Sequence, residues 1–289
     1  EAMKRPGEIL YNIPVMLSLP PEASPERLEE ALEKVVQAHP YLLTRLTLEG
    51  GEVRQIRSQE SGIAVRRIRA DEASLPDIRQ DFPRPFDLLR EPLFRFAIVE
   101  TQSRVILLAD FHHIIFDGTS LGIFLADLKK AYEGQTLEPE THSSLDALRD
   151  EQLKEGSASW LEAQEYYASR LKGYEGVTVI APDRKGKPEE GSMGESLCLM
   201  DPGEILSCCQ KHGITPAQLF LAGTAYTIGR FAGVSDTHFC SISSGRSDLR
   251  YSTSVGMFVR TLPLSIRIPE EGSAAGFLGA VRDIFLEAL

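Results

Sequence analysis

The chain has 289 residues, 42% of them apolar, so it can bury a sizeable core, and two lobes are a better expectation than one. Its formal net charge of −11 argues against nucleic-acid binding, because phosphate backbones attract clusters of Lys and Arg. Four cysteines without a C-x-x-C motif indicate a cytoplasmic protein with reduced thiols, and no apolar stretch approaches the ~20 residues of a membrane span.

The first half of the chain alternates between strand and helix patterns. Residues 8–19 are rich in β-branched and aromatic side chains and predict a strand. Ser24 is a candidate N-cap before Pro25, and apolar residues then recur at helical spacing through Val36, which predicts an amphipathic helix. Further patterns predict strands over 41–48, 52–57, 63–68, 93–100 and 103–113 and a short helix over 72–82. The last of these strands is apolar almost throughout, as expected of a central strand covered on both faces.

The rest of the chain continues the same mixture of elements. After Gly118, apolar residues recur at i, i+3, i+4, i+7 and i+11, which predicts a helix packed on one side. Later patterns predict polar helices over 145–172, a linker over 181–195, a strand over 195–200, helices over 202–212 and 216–231, strands over 237–243 and 261–268, and a helical tail. The mixture indicates an α/β protein with mixed (α+β) sheets.

The stretch FHHIIFDGTS, residues 111–120, places two histidines where the apolar strand ends and a turn leads into a helix. Histidine suits a general base, because its pKa lies near operating pH, but its ring must be pinned by a second group. Asp117 could do so directly, or could hold the turn by pairing with a distant cation. We expect Gly118 to permit a tight backbone where a Cβ would crowd.

Three other interpretations of the histidine pair stay open on the residues alone. A pair of histidines at a strand end is more often structural than catalytic. A zinc site would need a third ligand, and the remaining histidines come with no ligand spacing. A Ser–His–Asp hydrolase is weakly supported, because the chain contains no G-x-S-x-G elbow.

The full pattern H-H-x-x-x-D-G resembles the signature of condensation domains of nonribosomal peptide synthetases, in the chloramphenicol-acetyltransferase-like superfamily. Other stretches resemble this family in the same order along nearly the whole chain: YNIPVMLSL, LEEALEKVVQAHPYLLTRL, PRPFDLLREPLFRFAIV, EYYASRLKG and GRSDLRYSTSVGMFVRTLPLSI. Because several ordered motifs agree, the resemblance is specific.

The resemblance implies two chloramphenicol-acetyltransferase-like lobes, residues 1–176 and 177–289, which form a V around a tunnel. Family members extend beyond residue 289, so we expect an incomplete second lobe and a fragment that can lack activity by itself. The implied reaction forms an amide bond between an upstream acyl or peptidyl thioester and a downstream aminoacyl thioester. Both substrates would be carried on the phosphopantetheine of peptidyl carrier proteins, with an adenylation domain in the same assembly line. The domain itself would bind no cofactor, nucleic acid or membrane.

The resemblance also implies roles for single residues. His113 would face the tunnel and position or deprotonate the acceptor amine, whereas His112 would point inward and be structural. Asp117 would hold its loop by an ion pair, and Gly118 could offer a backbone N–H near the reacting carbonyl. Arg246 matches a family arginine and is the expected partner of Asp117; the alternative is a surface turn residue.

One segment departs from the family pattern. Where the family usually carries Arg-His-Glu and then Leu-Arg-Thr, this chain has Ala38-His39-Pro40 and Leu42-Leu43-Thr44. Arg45 comes one position late and would point to the other face of its strand. We therefore expect no arginine support from this segment.

Two alternative functions differ from carrier-dependent condensation. The chain could be an acyltransferase of the same superfamily that acts on a free alcohol or amine, in which case turnover would not demand a tethered acceptor. It could also be a non-catalytic module that docks carrier or partner proteins, against which the intact H-H-x-x-x-D-G pattern argues.

Overall fold

A computed structural model describes residues 7–57, 62–174, 176–183, 186 and 199–289 of the chain. Its strands are β1 (Asn12–Leu19), β2 (Thr44–Glu49), β3 (Glu52–Arg57), β4 (Val65–Arg69), β5 (Phe94–Glu100), β6 (Val105–His112), β7 (Asp236–Ser243) and β8 (Arg260–Arg267). Its helices are α1 (Pro25–Ala38), α2 (Leu75–Asp81), α3 (Gly118–Tyr132), α4 (Ser144–Lys154), α5 (Ala158–Arg170), α6 (Pro202–His212), α7 (Pro216–Ala232) and α8 (Ala274–Glu287). In this described part of the chain, no helix combines the length and the hydrophobicity of a bilayer span.

Among the described residues, the predicted helices and strands are present with shifts at their ends. The strand predicted over 41–48 begins only at Thr44, because Pro40–Leu43 forms a 3-10 turn. Ser24 caps α1 as expected, since its side chain accepts a hydrogen bond from the Arg27 N–H. Most of the linker predicted over 181–195, and most of the strand predicted over 195–200, lie outside the described residues.

The chain divides into two units that differ from the predicted lobes. One unit runs to Glu155 and includes Ser244–Val259, and the other comprises Gly156–Ser243 and Arg260–Leu289. The boundary predicted between residues 176 and 177 therefore falls inside the second unit. The division into lobes 1–176 and 177–289 stays a prediction about the family fold.

The first unit is built on a four-stranded sheet in the order β1-β6-β5-β4. β6 runs antiparallel to both neighbours, β4 and β5 are parallel, and every residue of β6 is buried. Leu107, Ala109 and Phe111 join the core under α1 and α3, whereas Ile106 and Leu108 pack in the cluster that includes side chains of α2. The expectation of a central strand covered on both faces is confirmed.

The second unit pairs β7 with β8 in an antiparallel ribbon that packs on α7 and α8. Two of its helix ends follow the sequence signals. Thr215 and Gln218 form a capping box at the start of α7, and Gly213 ends α6 with a left-handed φ of 62°. Local capping chemistry therefore sets these boundaries.

We expect Leu32→Ala to lower the free energy of unfolding by about 2–5 kcal/mol, because Leu32 is fully buried and its truncation leaves a cavity in the core of the first unit. Leu153→Ala is the matched control on α4: its side chain is 75% exposed, and we expect a loss below about 0.5 kcal/mol. Urea unfolding followed by circular dichroism measures both variants. Equal losses would contradict this assignment of the core.

Candidate active site

The histidine pair lies where β6 ends and a short turn leads into α3. The His112 N–H donates to the Leu93 carbonyl at 2.8 Å, and the His113 N–H donates to the Tyr11 carbonyl at 2.7 Å. The Ile115 N–H then closes the turn onto the His112 carbonyl at 3.0 Å. The backbone under both imidazoles is thus fixed by neighbouring segments and by the turn itself.

His112 is buried, and its ring is held on two sides. Its Nδ1 accepts a hydrogen bond from the Ile114 N–H at 3.1 Å, which leaves the ring proton on Nε2. Phe86 meets the ring edge-on, with a centroid distance of 5.9 Å. Burial, together with a smaller effect of the neighbouring His113, lowers the pKa of His112 to about 4. A neutral, buried imidazole of this kind is suited to supporting the turn.

His113 differs from its neighbour, because it is half-buried and begins the turn. Its Nδ1 is buried and has no hydrogen-bond partner within the residues that the structure describes. The hydrogen bonds of Asp117 go to other groups. Asp117 therefore does not hold the His113 ring directly, which was one of the two roles that the sequence suggested for it. His113 therefore depends on its backbone for position.

Asp117 is fully buried, and its carboxylate is saturated with donors. Oδ1 accepts from the Ser120 N–H and the Ser120 hydroxyl, both at 2.8 Å, and from Nη2 of Arg246 at 3.1 Å. Oδ2 accepts from Nη1 of Arg246 at 2.8 Å and from the Phe258 N–H at 3.0 Å. Burial alone would raise the pKa of Asp117, but these hydrogen bonds, that of Arg246 foremost, outweigh it and hold the pKa low. This carboxylate is a fixed charge rather than a proton carrier.

Arg246 is the cation that the sequence assigned to Asp117, and the structure contains this pair. Its side chain is only 5% exposed, so the alternative of a surface turn residue is wrong. Nη2 also donates to the Ser120 hydroxyl at 3.0 Å and to the Ser254 carbonyl at 3.2 Å. The guanidinium lies 4.2 Å from the centre of the Phe258 ring, a cation–π contact.

Ser120 is a member of this network to which sequence reasoning assigned no role. Its buried hydroxyl lies 2.8 Å from Asp117 Oδ1 and 2.9 Å from the Gly256 carbonyl, and it accepts from the Gly256 N–H at 3.0 Å. A hydroxyl carries one proton and two lone pairs, so it joins donors and acceptors from two distant segments. The local signal was its position two residues after Gly118, within reach of the capping Asp117.

Gly256 is required by packing in the segment that faces Ser120. A Cβ at this position would lie 2.9 Å from a ring carbon of Phe258 and 3.0 Å from the side chain of Ser144. Any larger residue would push the segment away from Ser120. The Val-Gly-Met-Phe stretch noted in the sequence therefore forms one wall of the Asp117 network.

The expectation for Gly118 is wrong. Gly118 is the first residue of α3, it is exposed, and an added Cβ would meet nothing within 4 Å. Its φ is not positive, and the tight turn is made by residues 113–115, before this glycine. The role predicted for its backbone N–H does not depend on the lack of a Cβ.

The segment that departs from the family pattern contributes no cation to Asp117. Arg45 donates from Nη1 to the Arg90 carbonyl at 3.3 Å. Within the described residues, no group of three or more His, Cys, Asp or Glu side chains could hold a metal ion.

The sequence profile of the family described as condensation domain matches residues 2–289. Surfactin synthase subunit 1 of Bacillus subtilis (strain 168) is 28% identical over 283 residues, which is 96% of this chain. The chain spans only 8% of the length of that relative.

Solved structures share the fold. The first condensation domain of the CDA synthetase superposes with a TM-score of 0.75 at 19% identity, covering 99% of this chain and 72% of that one. The X-domain in its complex with OxyB from teicoplanin biosynthesis gives a TM-score of 0.82 at 23% identity, covering 98% of this chain and 66% of that one.

We expect Arg246→Gln to lower the free energy of unfolding by about 3–5 kcal/mol, because it leaves the buried carboxylate of Asp117 uncompensated. Arg250→Gln is the matched control in the same segment: its side chain is 49% exposed and pairs with Asp150 and Asp248, so we expect a loss of about 1 kcal/mol or less. Denaturant unfolding at pH 7 compares the two. A loss below about 1 kcal/mol in Arg246→Gln would show that the buried pair is dispensable.

We expect the ring of His112 to stay neutral until the pH falls to about 4. Since the unfolded chain takes up this proton near pH 6.5, the contribution of His112 to stability is complete above that pH and is lost as the pH falls toward 4. Two-dimensional NMR of the imidazole Cε1–H groups measures the midpoint, and His112→Gln assigns the resonance. A midpoint at 6.5 or above would contradict a buried neutral ring.

Proposed function

The chain belongs to the condensation domain family, and we propose that it forms an amide bond between two substrates held as thioesters on carrier proteins. The family and the mixed α/β fold expected from the sequence are confirmed. The reaction and the partners are proposals, because the chain spans a small part of its multidomain relatives. The proposed partners are an upstream and a downstream carrier protein, with an adenylation domain in the same cytoplasmic assembly.

The proposed chemistry is one acyl transfer. The amine nitrogen of the acceptor attacks the carbonyl carbon of the donor thioester, and the C–S bond breaks. The proton lost by the amine goes to the departing thiolate, directly or through His113. An α-ammonium group has a pKa near 8, so a base or a desolvating surface is needed to supply free amine at neutral pH. Orienting two tethered substrates can itself supply up to about 7–11 kcal/mol.

The observation that carries the proposal is the contrast between the two adjacent histidines. His112 is committed to the turn, whereas the half-buried His113 has a buried Nδ1 without a partner in the described part of the chain. The turn is anchored at its far end by the Asp117–Arg246 pair. We assign the catalytic role to His113 and supporting roles to His112, Asp117 and Arg246.

Gly118 supplies a further proposed group. Its N–H belongs to the first turn of α3, where helical N–H groups lack intrahelical partners and the helix dipole favours negative charge. A donor in this position is suited to the oxyanion that develops on the thioester carbonyl.

A second candidate function is docking without catalysis. It is favoured by the structural likeness to the X-domain from teicoplanin biosynthesis, which forms a complex with OxyB. The acyltransferase alternative, with a free alcohol or amine as acceptor, keeps the same catalytic histidine. Turnover with tethered and with free acceptors separates these possibilities.

We expect His113→Ala to reduce condensation by at least about a hundredfold while leaving the unfolding transition unchanged, because the variant removes the group that acts on the amine. Donor and acceptor thioesters are loaded onto separate carrier proteins, and the product is measured by mass spectrometry. His142→Ala, a half-buried histidine outside the motif, is the control and should retain activity.

Three outcomes would change the assignment. Undiminished condensation in His113→Ala would remove the catalytic role of this histidine. Equal turnover of a free amine would favour the acyltransferase. Carrier binding without any product, both from this chain and from a longer chain that continues the second lobe, would favour docking.

A further inference from the structure

A second buried charge cluster lies outside the histidine motif. His39 follows the last residue of α1, and its side chain is only 2% exposed. Its Nε2 lies 2.9 Å from Oδ2 of Asp127, and its Nδ1 lies 3.1 Å from Oε2 of Glu140. The side chains of Asp127 and Glu140 are 14% and 3% exposed.

This geometry favours a protonated ring. A neutral imidazole has one N–H, so one of its nitrogens would turn a lone pair toward a carboxylate oxygen. The imidazolium donates to both carboxylates, and its positive charge lies at the C-terminal end of α1, where the helix dipole favours it. Burial alone would lower the pKa of His39, but the hydrogen bonds to Glu140 and Asp127 outweigh it and raise the pKa.

The other charged and titratable groups around the ring fit the same arrangement. Nζ of Lys130 donates to Oδ1 of Asp127, the oxygen that does not contact His39, at 2.6 Å. The side chain of Lys130 is 52% exposed. The Tyr41 N–H donates to Oε1 of Glu140 at 3.4 Å, and the phenol of Tyr41 donates to Gln55. Thus two carboxylates face two cations, and only one of those cations, His39, can lose its charge near neutral pH.

Glu140 connects this cluster to the segment beside the candidate site. Its Oε2 accepts from the N–H of Val255 at 3.1 Å, and Val255 is fully buried. The next residue, Gly256, donates its N–H to the Ser120 hydroxyl, and the Phe258 N–H donates to Asp117. The same short segment is therefore held by Glu140 at its start and by Asp117 at its end.

We propose that His39, as an imidazolium, is a positioning residue that holds Glu140 against the Val255 amide and thereby fixes the 254–258 segment against Asp117. Its effect on catalysis rests on the function proposed for His113, but its effect on the segment does not. When the ring loses its proton, one carboxylate faces a lone pair, and the hold of Glu140 on Val255 weakens. Because the pKa is raised in the folded state, the stabilisation is complete below about pH 6.5 and is lost as the pH rises through the folded value.

Amide hydrogen exchange measured by NMR tests the effect on the segment. At pH 6, we expect His39→Gln and Glu140→Gln to accelerate exchange at Val255 and Phe258 at least tenfold. Glu138→Gln is the matched control, because Glu138 is exposed and lies two residues from Glu140; its exchange rates should stay within twofold of the unmodified chain. Unchanged exchange at Val255 in a folded His39→Gln variant would overturn the proposal.

The unmodified chain provides a test that does not depend on folding of a variant. The His39 ring is titrated through its Cε1–H resonance, and Val255 exchange is corrected for the intrinsic pH dependence of amide exchange. In the unmodified chain, we expect loss of Val255 protection to share the midpoint of the His39 titration. As a separate test with a variant, we expect Asp127→Asn to move both midpoints to lower pH. Protection of the Val255 amide that does not change around the midpoint of the His39 titration would overturn the proposal.

Carrier-dependent condensation tests the consequence for catalysis. We expect His39→Gln to lower kcat at least tenfold and to leave KM for the acceptor within twofold, because the substrates do not contact His39 in the proposed arrangement. Faster Val255 exchange with an unchanged kcat would overturn the positioning role. If the unmodified chain forms no product, the exchange measurements alone decide the role of His39.

Discussion

The buried ion pair between Asp117 and Arg246 is the constraint on which the candidate site depends. It joins residues 129 positions apart in the sequence and, through its shared partners, ties the start of α3 to the 254–258 segment. Removing two charges from water is unfavourable, and such a pair is often no more stabilising than well-packed apolar side chains would be. Here the pair serves to fix positions. Five hydrogen bonds hold the carboxylate of Asp117, and Asp117 follows two residues after the turn that begins at His113.

Strand geometry explains why two adjacent histidines have different environments. Successive side chains of a strand point to opposite faces, so His112 shares the face of Ile106 and Leu108. There it meets aromatic rings and a backbone donor that suit a neutral imidazole. His113 comes one residue later, after the last paired residue of β6, and lies in the turn. A single strand end thus presents one ring as support and the next as a candidate base.

Local patterns predicted local structure, and they failed where the partners are far apart. The apolar run of β6, the Ser24 cap and the Thr215 capping box depend on neighbours within a few positions, so their signals are visible in the sequence. The motif located His113 and Asp117, and family resemblance supplied Arg246. The carboxylates that contact His39 and the Gly256 partner of Ser120 lie 88 to 136 positions away, so no local pattern reveals these contacts. The expectation for Gly118 is wrong for a different reason. The tight turn lies earlier, at residues 113–115, and does not include this glycine.

The backbone of the 254–258 segment explains why two cations, Arg246 and His39, are buried near it. This segment is largely buried but belongs to no helix or strand, so its amides lack the partners that regular structure provides. Side-chain oxygens replace those partners: Glu140 for Val255, Ser120 for Gly256 and Asp117 for Phe258. Two of these acceptors are carboxylates in the interior, and each then requires a nearby positive charge. Arg246 provides a positive charge that is permanent, whereas His39 provides one that depends on pH. The 254–258 segment is therefore held by one charge that remains as the pH rises and by one that is lost.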